Sequence, residues 1–236
     1  MNQIYNPKYI QNLFDEMAPS YQIMNIITSF GLSEIWRIKT LKKINLKGPK
    51  TILDLFSGMG ESLKYLEKFS NEKNSIFALD FSPKMIKNLQ QKSHLIQNVN
   101  VTILEENFFF NKIKSNSFNT IVSCFGLKTL SEKQLNQLTS ETNRLLKKNG
   151  EFIFTEISIP QNKIFAFFFK FYINTIVPFI GKYCLKNNTS YKMLGIYVNE
   201  FQNAKKVYNI FKNKNFEVEY ISFFFGCVTG VKGYKI

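Results

Sequence analysis

Hydrophobic and polar positions change period along this chain. From about Thr51 onward, short apolar runs alternate with segments whose apolar residues recur every three or four positions. Such alternation predicts strands and helices in turn, and hence an α/β fold with a mostly parallel sheet flanked by helices. The predicted strands are Thr51–Phe56, Ser75–Asp80, Asn100–Leu104, Phe118–Cys124 and Glu151–Ile157, with Phe216–Phe223 and Val228–Tyr234 closing the sheet.

Local punctuation places the helices. Ser82 before Pro83 supplies a capping hydroxyl and then a residue preset for the first helical position; Met85, Ile86 and Leu89 form the buried stripe that follows. Ser131 with Gln134 fits a capping box, after which Leu135, Leu138, Thr142 and Leu145 share one face. Asn149-Gly150 is expected to end that helix, with Gly in the left-handed conformation. Phe201, Ala204, Tyr208 and Phe211 recur at helical spacing. Tyr9–Lys43 also reads as helical, so residues 1–47 form a helical lid before the sheet. Residues 161–199, between the fifth strand and the last helix, are long enough for a helical insertion that covers a substrate. With no linker and no repeat, the 236 residues read as one domain.

Composition adds a bias. The chain carries a net charge of +14, and from Ile157 to Ile236 it has eleven Lys against three Glu. The same third holds Phe165, Phe167, Phe168, Phe169, Phe171 and Tyr172, flanked by Lys163, Lys170 and Lys182. A basic, aromatic surface suits a membrane interface, where lysines extend toward headgroups; a solvated face beside a buried helix is the plainer alternative. The apolar run Ile164–Ile180 is interrupted by Lys170, Asn174 and Pro178 and is short for a membrane span. Cys124, Cys184 and Cys227 are widely spaced, which argues against a metal site or a disulfide framework and for a reducing cytoplasm. Met1–Ile10 lacks the apolar stretch of a secretion signal. The Lys-rich third contains no recognisable RNA-binding module, so no nucleic-acid partner is expected.

The candidate chemistry begins where the first strand ends. Asp54 precedes a turn bearing Gly58 and Gly60, and Asp80 ends the next strand 20 residues after Gly60. Glycines there admit close approach of a ligand to the backbone, and a carboxylate at the second strand end binds ribose hydroxyls. The absence of a basic phosphate clamp suits a cationic, amino-acid-bearing nucleoside better than a dinucleotide. A Rossmann domain that binds NAD is the alternative.

The motifs then resemble one family. Phe14–Tyr21, Met24-Asn25, Ser29–Gly31, Trp36-Arg37, Leu53–Leu55, Gly58 with Gly60, Asp80 through Met85, Phe125–Leu127, Arg144–Lys147, Glu156 through Pro160, Ser190-Tyr191 and Gly233–Lys235 are similar to the UbiE/MenG/Coq5 family of quinone C-methyltransferases. The resemblance covers nearly the whole chain. It implies a Rossmann-like class I methyltransferase fold with a seven-stranded, mostly parallel sheet, and S-adenosyl-L-methionine as cofactor. It also implies methyl transfer to a ring carbon of a lipid quinol in menaquinone or ubiquinone biosynthesis. The cysteine, lysine and aromatic patterns place such an enzyme in the cytoplasm or peripherally at the inner face of the membrane through residues 163–182. A homodimer is compatible with the resemblance.

Site roles carried over from that resemblance are these. Asp54, Gly58, Met59 and Gly60 line the methionine end of the cofactor, Asp80 binds the ribose, Asn107 and Phe108 meet the adenine, and Cys124 contacts the cofactor. The chain departs from the family at Phe56, where a small residue is usual, at Gln22 and Asn119, and at Lys128-Thr129, where Arg-Asn is usual. Lys128 is a candidate for stabilising a developing phenolate, Tyr191 for orienting a hydroxyl, and Tyr21 with Asn25 for the lid. His94, the single histidine, reads as a helix-end residue. The Lys128-Thr129 departure keeps open a different small-molecule or lipid acceptor, and a cofactor-binding protein without transferase activity is a third reading.

Overall fold

The computed structural model describes residues 3–70, 74–185 and 189–236. Helices α1 (Pro7–Met17), α2 (Tyr21–Thr28) and α3 (Leu32–Leu41) precede the sheet. Then come β1 (Thr51–Leu55), α4 (Leu63–Phe69), β2 (Ser75–Asp80), α5 (Pro83–Ser93), β3 (Asn100–Glu105), β4 (Phe118–Cys124), α6 (Glu132–Leu145) and β5 (Leu146–Ile157). Helices α7 (Lys163–Phe171), α8 (Val177–Leu185), α9 (Thr189–Phe201) and α10 (Lys205–Lys212) follow, and β6 (Phe216–Phe223) and β7 (Val228–Lys235) close the chain.

The sheet order is β3-β2-β1-β4-β5-β7-β6. Strands β1 to β5 pair in parallel, while β7 runs antiparallel to both β5 and β6. This is the seven-stranded, mostly parallel sheet expected. Its central strands are buried on both faces, which explains their unbroken apolar runs. Leu53, Ile121 and Phe154 pack under α6 and α10, whereas Ile52, Val122 and Ile153 pack under α3, α4 and α5. Strand order reverses between β1 and β4, and ligands of open α/β sheets bind outside the strand ends at such a point.

The caps fall where the sequence places them. Ser82 Oγ accepts from the Met85 N–H at 3.2 Å, with Pro83 at the first position of α5. The Ser131 and Gln134 box is formed in both directions at the start of α6. Asp15 of α1 joins in: its carboxylate accepts from Ser82 Oγ at 2.6 Å and from the Lys84 N–H at 3.2 Å. That contact fastens the N-terminal helices to the sheet layer.

Three expectations are corrected. Helix α6 stops at Leu145, and the chain enters β5 at once; Leu146 pairs with Phe118 before a register shift. Asn149, not Gly150, takes the left-handed conformation, with φ 59°. Asn tolerates that region through its short polar side chain, and Gly150 serves instead for close approach, since a Cβ there would lie 2.8 Å from the Lys147 carbonyl oxygen. The predicted N-terminal helix is three helices, broken at residues 18–20 and at Phe30-Gly31, both of which have positive φ. Finally, the apolar run at 164–180 belongs to something longer. A π-helical turn, Tyr172–Ile176, carries α7 into α8 past Asn174 without a break, and Lys163–Tyr183 is long and apolar enough to cross a membrane by length and composition.

Candidate functional site

The site is built at the β1 and β4 ends. Phe56 leaves β1 with φ 55°, and Gly58 and Gly60 continue the turn with φ 56° and 77°. Asp80, at the end of β2, ties this turn to the start of α5. Its Oδ2 accepts from the Gly58 N–H at 2.9 Å and its Oδ1 from the Ser82 N–H at 2.9 Å. A side chain at Gly60 would press on Leu63 at 3.0 Å, so that glycine also permits close packing of the turn on α4.

Above the turn opens a cavity. Of the sequence-predicted residues, Gly58, Asp80, Asn107 and Cys124 line it. Asn107 also caps the turn after it, accepting from the Phe109 N–H at 3.0 Å. Asp54, Met59 and Phe108 are buried and do not line the cavity, and Gly60 acts through backbone geometry. Burial pushes the Asp80 carboxyl up to about 6 against the backbone donors of Ser82 and Gly58. Burial likewise pushes Asp54 up to about 7, with Arg37 opposing, and the Cys124 thiol up to about 11, which keeps it neutral.

The Phe56 departure has a structural counterpart. Its ring lies over Gly126, where a Cβ would come within 2.6 Å of Phe56 Cδ2, and it meets Phe108 edge-on at 6.0 Å. Phe125, beside Gly126, is also left-handed, with φ 73°. Left-handed backbone at non-glycine residues is strained, and such strain gathers at functional sites.

A second cavity adjoins the first. Tyr21, Arg37 and Phe125 line both. Lys128 lines the second, together with Asn25 and Trp36. Lys128 is buried, and its Nζ donates to the Phe125 carbonyl at 2.7 Å and to Glu156 Oε1 at 3.1 Å. Tyr191 lies in neither cavity. It packs with Leu13, Met17 and Met24, and its hydroxyl is bonded to Ser20 Oγ at 2.7 Å. His94 is an exposed residue at the end of α5.

The Phe-rich helix divides its side chains. Phe169, Tyr172, Ile173 and Val177 line the second cavity. Phe165, Phe167, Phe168 and Phe171 face outward and are exposed. Phe225, left-handed in the turn before β7, stacks on Phe165 at 5.6 Å, and Phe30 meets Tyr172 at 6.0 Å. Exposed aromatic rings thus lie on the outer side of the helix that walls this cavity.

Four polar atoms in and under this region are buried without a partner: Asp54 Oδ2, Ser57 Oγ, Glu61 Oε1 and Arg37 Nε. Trp36 Nε1, toward the second cavity, is another. Sequence reasoning did not single out Arg37, Glu61 or Trp36 as site residues. One signal was present for Arg37: it shares the buried face of α3 with Ser33, Trp36 and Thr40, where a charge needs a reason.

Comparison with known proteins agrees with this architecture. The chain is 30% identical over 235 residues to the ubiquinone/menaquinone biosynthesis C-methyltransferase UbiE of Rickettsia akari, covering 96% of this chain and 92% of that one. It is 29% identical over 228 residues to the demethylmenaquinone methyltransferase of Lactiplantibacillus plantarum, covering 96% and 95%. Among solved structures, a SAM-dependent methyltransferase from Aquifex aeolicus matches with a TM-score of 0.59 and 20% identity, over 85% of this chain and 89% of that one, and so shares the fold. A family model described as the ubiE/COQ5 methyltransferase family matches residues 2–235, and the chain belongs to that family.

Proposed function

We propose that this methyltransferase moves the methyl group of S-adenosylmethionine to a ring carbon of a demethylmenaquinol-like lipid quinol. The observation that carries the reading is the pair of adjoining cavities walled by Tyr21, Arg37 and Phe125. One is built on the glycine turn and Asp80, and the other is largely apolar. Donor and acceptor would meet at the shared wall, and in-line positioning supplies much of the acceleration in such transfers.

The residues present fit the cofactor. Asp80 is positioned for the ribose hydroxyls, Asn107 for the adenine, and Gly58 and Cys124 for the sulfur-bearing chain. The cofactor supplies a methyl group already activated on a sulfonium. Lys128 faces the acceptor. An ammonium has three N–H donors, two of which are used on Phe125 and Glu156. The third is available to a quinol oxygen and would stabilise negative charge as it develops there. Tyr191 acts at a distance, holding α1 and α2 against α9 through Ser20. No residue is assigned as a general base.

The exposed face of α7, with Phe30 and Phe225, supports a peripheral position at the cytoplasmic membrane surface. The helix lies along that surface: Ile173 and Val177 are buried, and the Tyr172 hydroxyl donates to the Thr28 carbonyl at 2.8 Å. Lys163, Lys170 and Lys182 flank the rings and suit anionic headgroups. Phe169 and Tyr172 would then guide an isoprenoid tail from the bilayer into the second cavity.

Turnover with purified protein, labelled S-adenosylmethionine and demethylmenaquinone reduced to the quinol tests the reading. Labelled menaquinone is expected. No transfer despite intact cofactor binding would favour the second reading, a different lipid or small acceptor, which rests on Lys128-Thr129.

A further inference from the structure

A buried guanidinium without full hydrogen bonding is costly, and a native fold keeps one only where something answers it. Arg37 is such a group. It is 6% exposed, its Nε has no partner, and Nη1 makes one long bond to Ser62 Oγ at 3.3 Å. Its nearest acid is Glu34, at 3.9 Å, too far for a hydrogen bond. The Phe125 ring beneath it, 5.3 Å away, fixes its plane without satisfying its donors. Burial works against its charge, the nearby Glu61 and Glu34 carboxylates favour it, and the guanidinium stays cationic.

Glu61 presents the opposite deficit in the same cavity. Its Oε2 accepts from the Met59 N–H at 3.2 Å, while Oε1 is buried and unpartnered. Gly58 makes room for this fold-back, since a Cβ there would lie 3.3 Å from Glu61 Oε2. Among the described residues, Arg37 and Glu61 form no ion pair with each other. Both line the first cavity. An unmet cationic donor and an unmet anionic acceptor that face one space without touching match an α-amino-acid zwitterion. Asp54, expected from the motif to line this end, lies beneath the floor at 1% exposure.

We infer that Arg37 grips the α-carboxylate of S-adenosylmethionine and Glu61 its α-ammonium. This rests on the reading that the first cavity holds that cofactor. It makes α3 of the N-terminal lid part of the cofactor site, so cofactor occupancy fastens the lid that also walls the acceptor cavity.

Calorimetry with three ligands tests it: S-adenosylmethionine, its decarboxylated form, which keeps the amine and sulfonium, and 5′-methylthioadenosine, which lacks the whole amino-acid end. Wild-type protein should prefer the intact cofactor to the decarboxylated form by on the order of tenfold to a hundredfold, the range for a charge-assisted bond. Arg37→Met should erase that preference while leaving the decarboxylated form and 5′-methylthioadenosine bound as before. Arg37→Lys should restore part of it. Glu61→Gln should weaken both amine-bearing ligands alike and spare 5′-methylthioadenosine, whose retained binding also reports a folded variant. Equal loss for all three ligands in both Arg37 variants would make Arg37 a packing residue and overturn the inference, as would a wild-type protein that does not distinguish the first two. A wild-type protein that binds none of the three would overturn the cofactor reading itself.

Discussion

Lys128 Nζ lies 3.1 Å from Glu156 Oε1, and the two side chains are 5% and 0% exposed. The other oxygen of Glu156 accepts from the backbone N–H of Lys128 at 2.9 Å, so one carboxylate holds the residue at both ends. The pair also joins two neighbouring strand ends, because Phe125 N–H donates to the Thr155 carbonyl at 2.8 Å just before it. Breaking a buried pair from one side leaves an uncompensated charge, at a cost of about 3–5 kcal/mol. Glu156→Ala should therefore lower the unfolding free energy in urea by about that amount.

Lys128→Met should separate binding from chemistry. Loss of a donor to a developing oxyanion costs about 10²- to 10³-fold in kcat, and Lys128 does not line the first cavity. Steady-state turnover should fall on that scale, while calorimetric affinity for S-adenosylmethionine stays unchanged. A comparable fall in cofactor affinity would place Lys128 outside the acceptor chemistry.

Asp80 should make cofactor binding pH-dependent. Burial holds its carboxyl near 6, and Asp54 near 7, both above the ordinary carboxylate value of about 3.9. Raised acids favour the protonated fold, so their contribution to ligand-free stability is fully present at low pH and is lost as pH rises from about 4 through about 7. Bound ribose and sulfonium favour the ionised forms. Cofactor affinity should therefore rise between about pH 5 and 7.5, with proton release on binding near pH 6. Calorimetry in buffers of different ionisation enthalpy measures that release. Asp80→Ala should weaken binding tenfold or more and remove the step assigned to about 6.

Exposed rings can be removed without opening the core. Phe167, Phe168 and Phe171 are 69%, 63% and 54% exposed, so their joint replacement by Ser should leave the melting temperature within a few degrees, as is usual for surface substitutions. Sedimentation with anionic liposomes should fall severalfold, and the residual binding should weaken with added salt. Unchanged sedimentation would remove the membrane reading.

If the second cavity takes the acceptor as proposed, Trp36 gives a direct optical view of it. It is the single tryptophan, it lines that cavity, and its Nε1 is unpartnered. A soluble oxidised quinone should quench its fluorescence saturably, and Trp36→Phe should raise the KM for the quinol severalfold by removing one donor.

The fold was legible where burial and periodicity coincide. Strands β1, β2 and β4 are buried on both faces and stand out as apolar runs between turn residues, and the Ser82 and Ser131 caps are local enough to be read from four residues. The end of α6 was not, because Asn149 and Gly150 exchange roles inside a bulge set by pairing with Phe118. Gly58, Asp80, Asn107 and Cys124, which line the first cavity, could be picked out because each ends a strand or sits in a short motif. Arg37 and Glu61 could not be paired from sequence, since they meet only across a cavity between α3 and the glycine turn. The buried pairing of Lys128 could not be read either, because its partner Glu156 lies 28 positions away, on the next parallel strand.

The ring of Phe56 over Gly126 constrains the order in which this lineage could change. With Phe56 present, even alanine at 126 would bring a Cβ within 2.6 Å of the ring, so Gly126 is locked until position 56 becomes small again. A reversion to the small residue usual at 56 would first leave a gap against Gly126 and Phe108, and only afterwards would 126 be free to vary. The two positions therefore form an epistatic pair, and descendants of this chain should carry them as a linked unit.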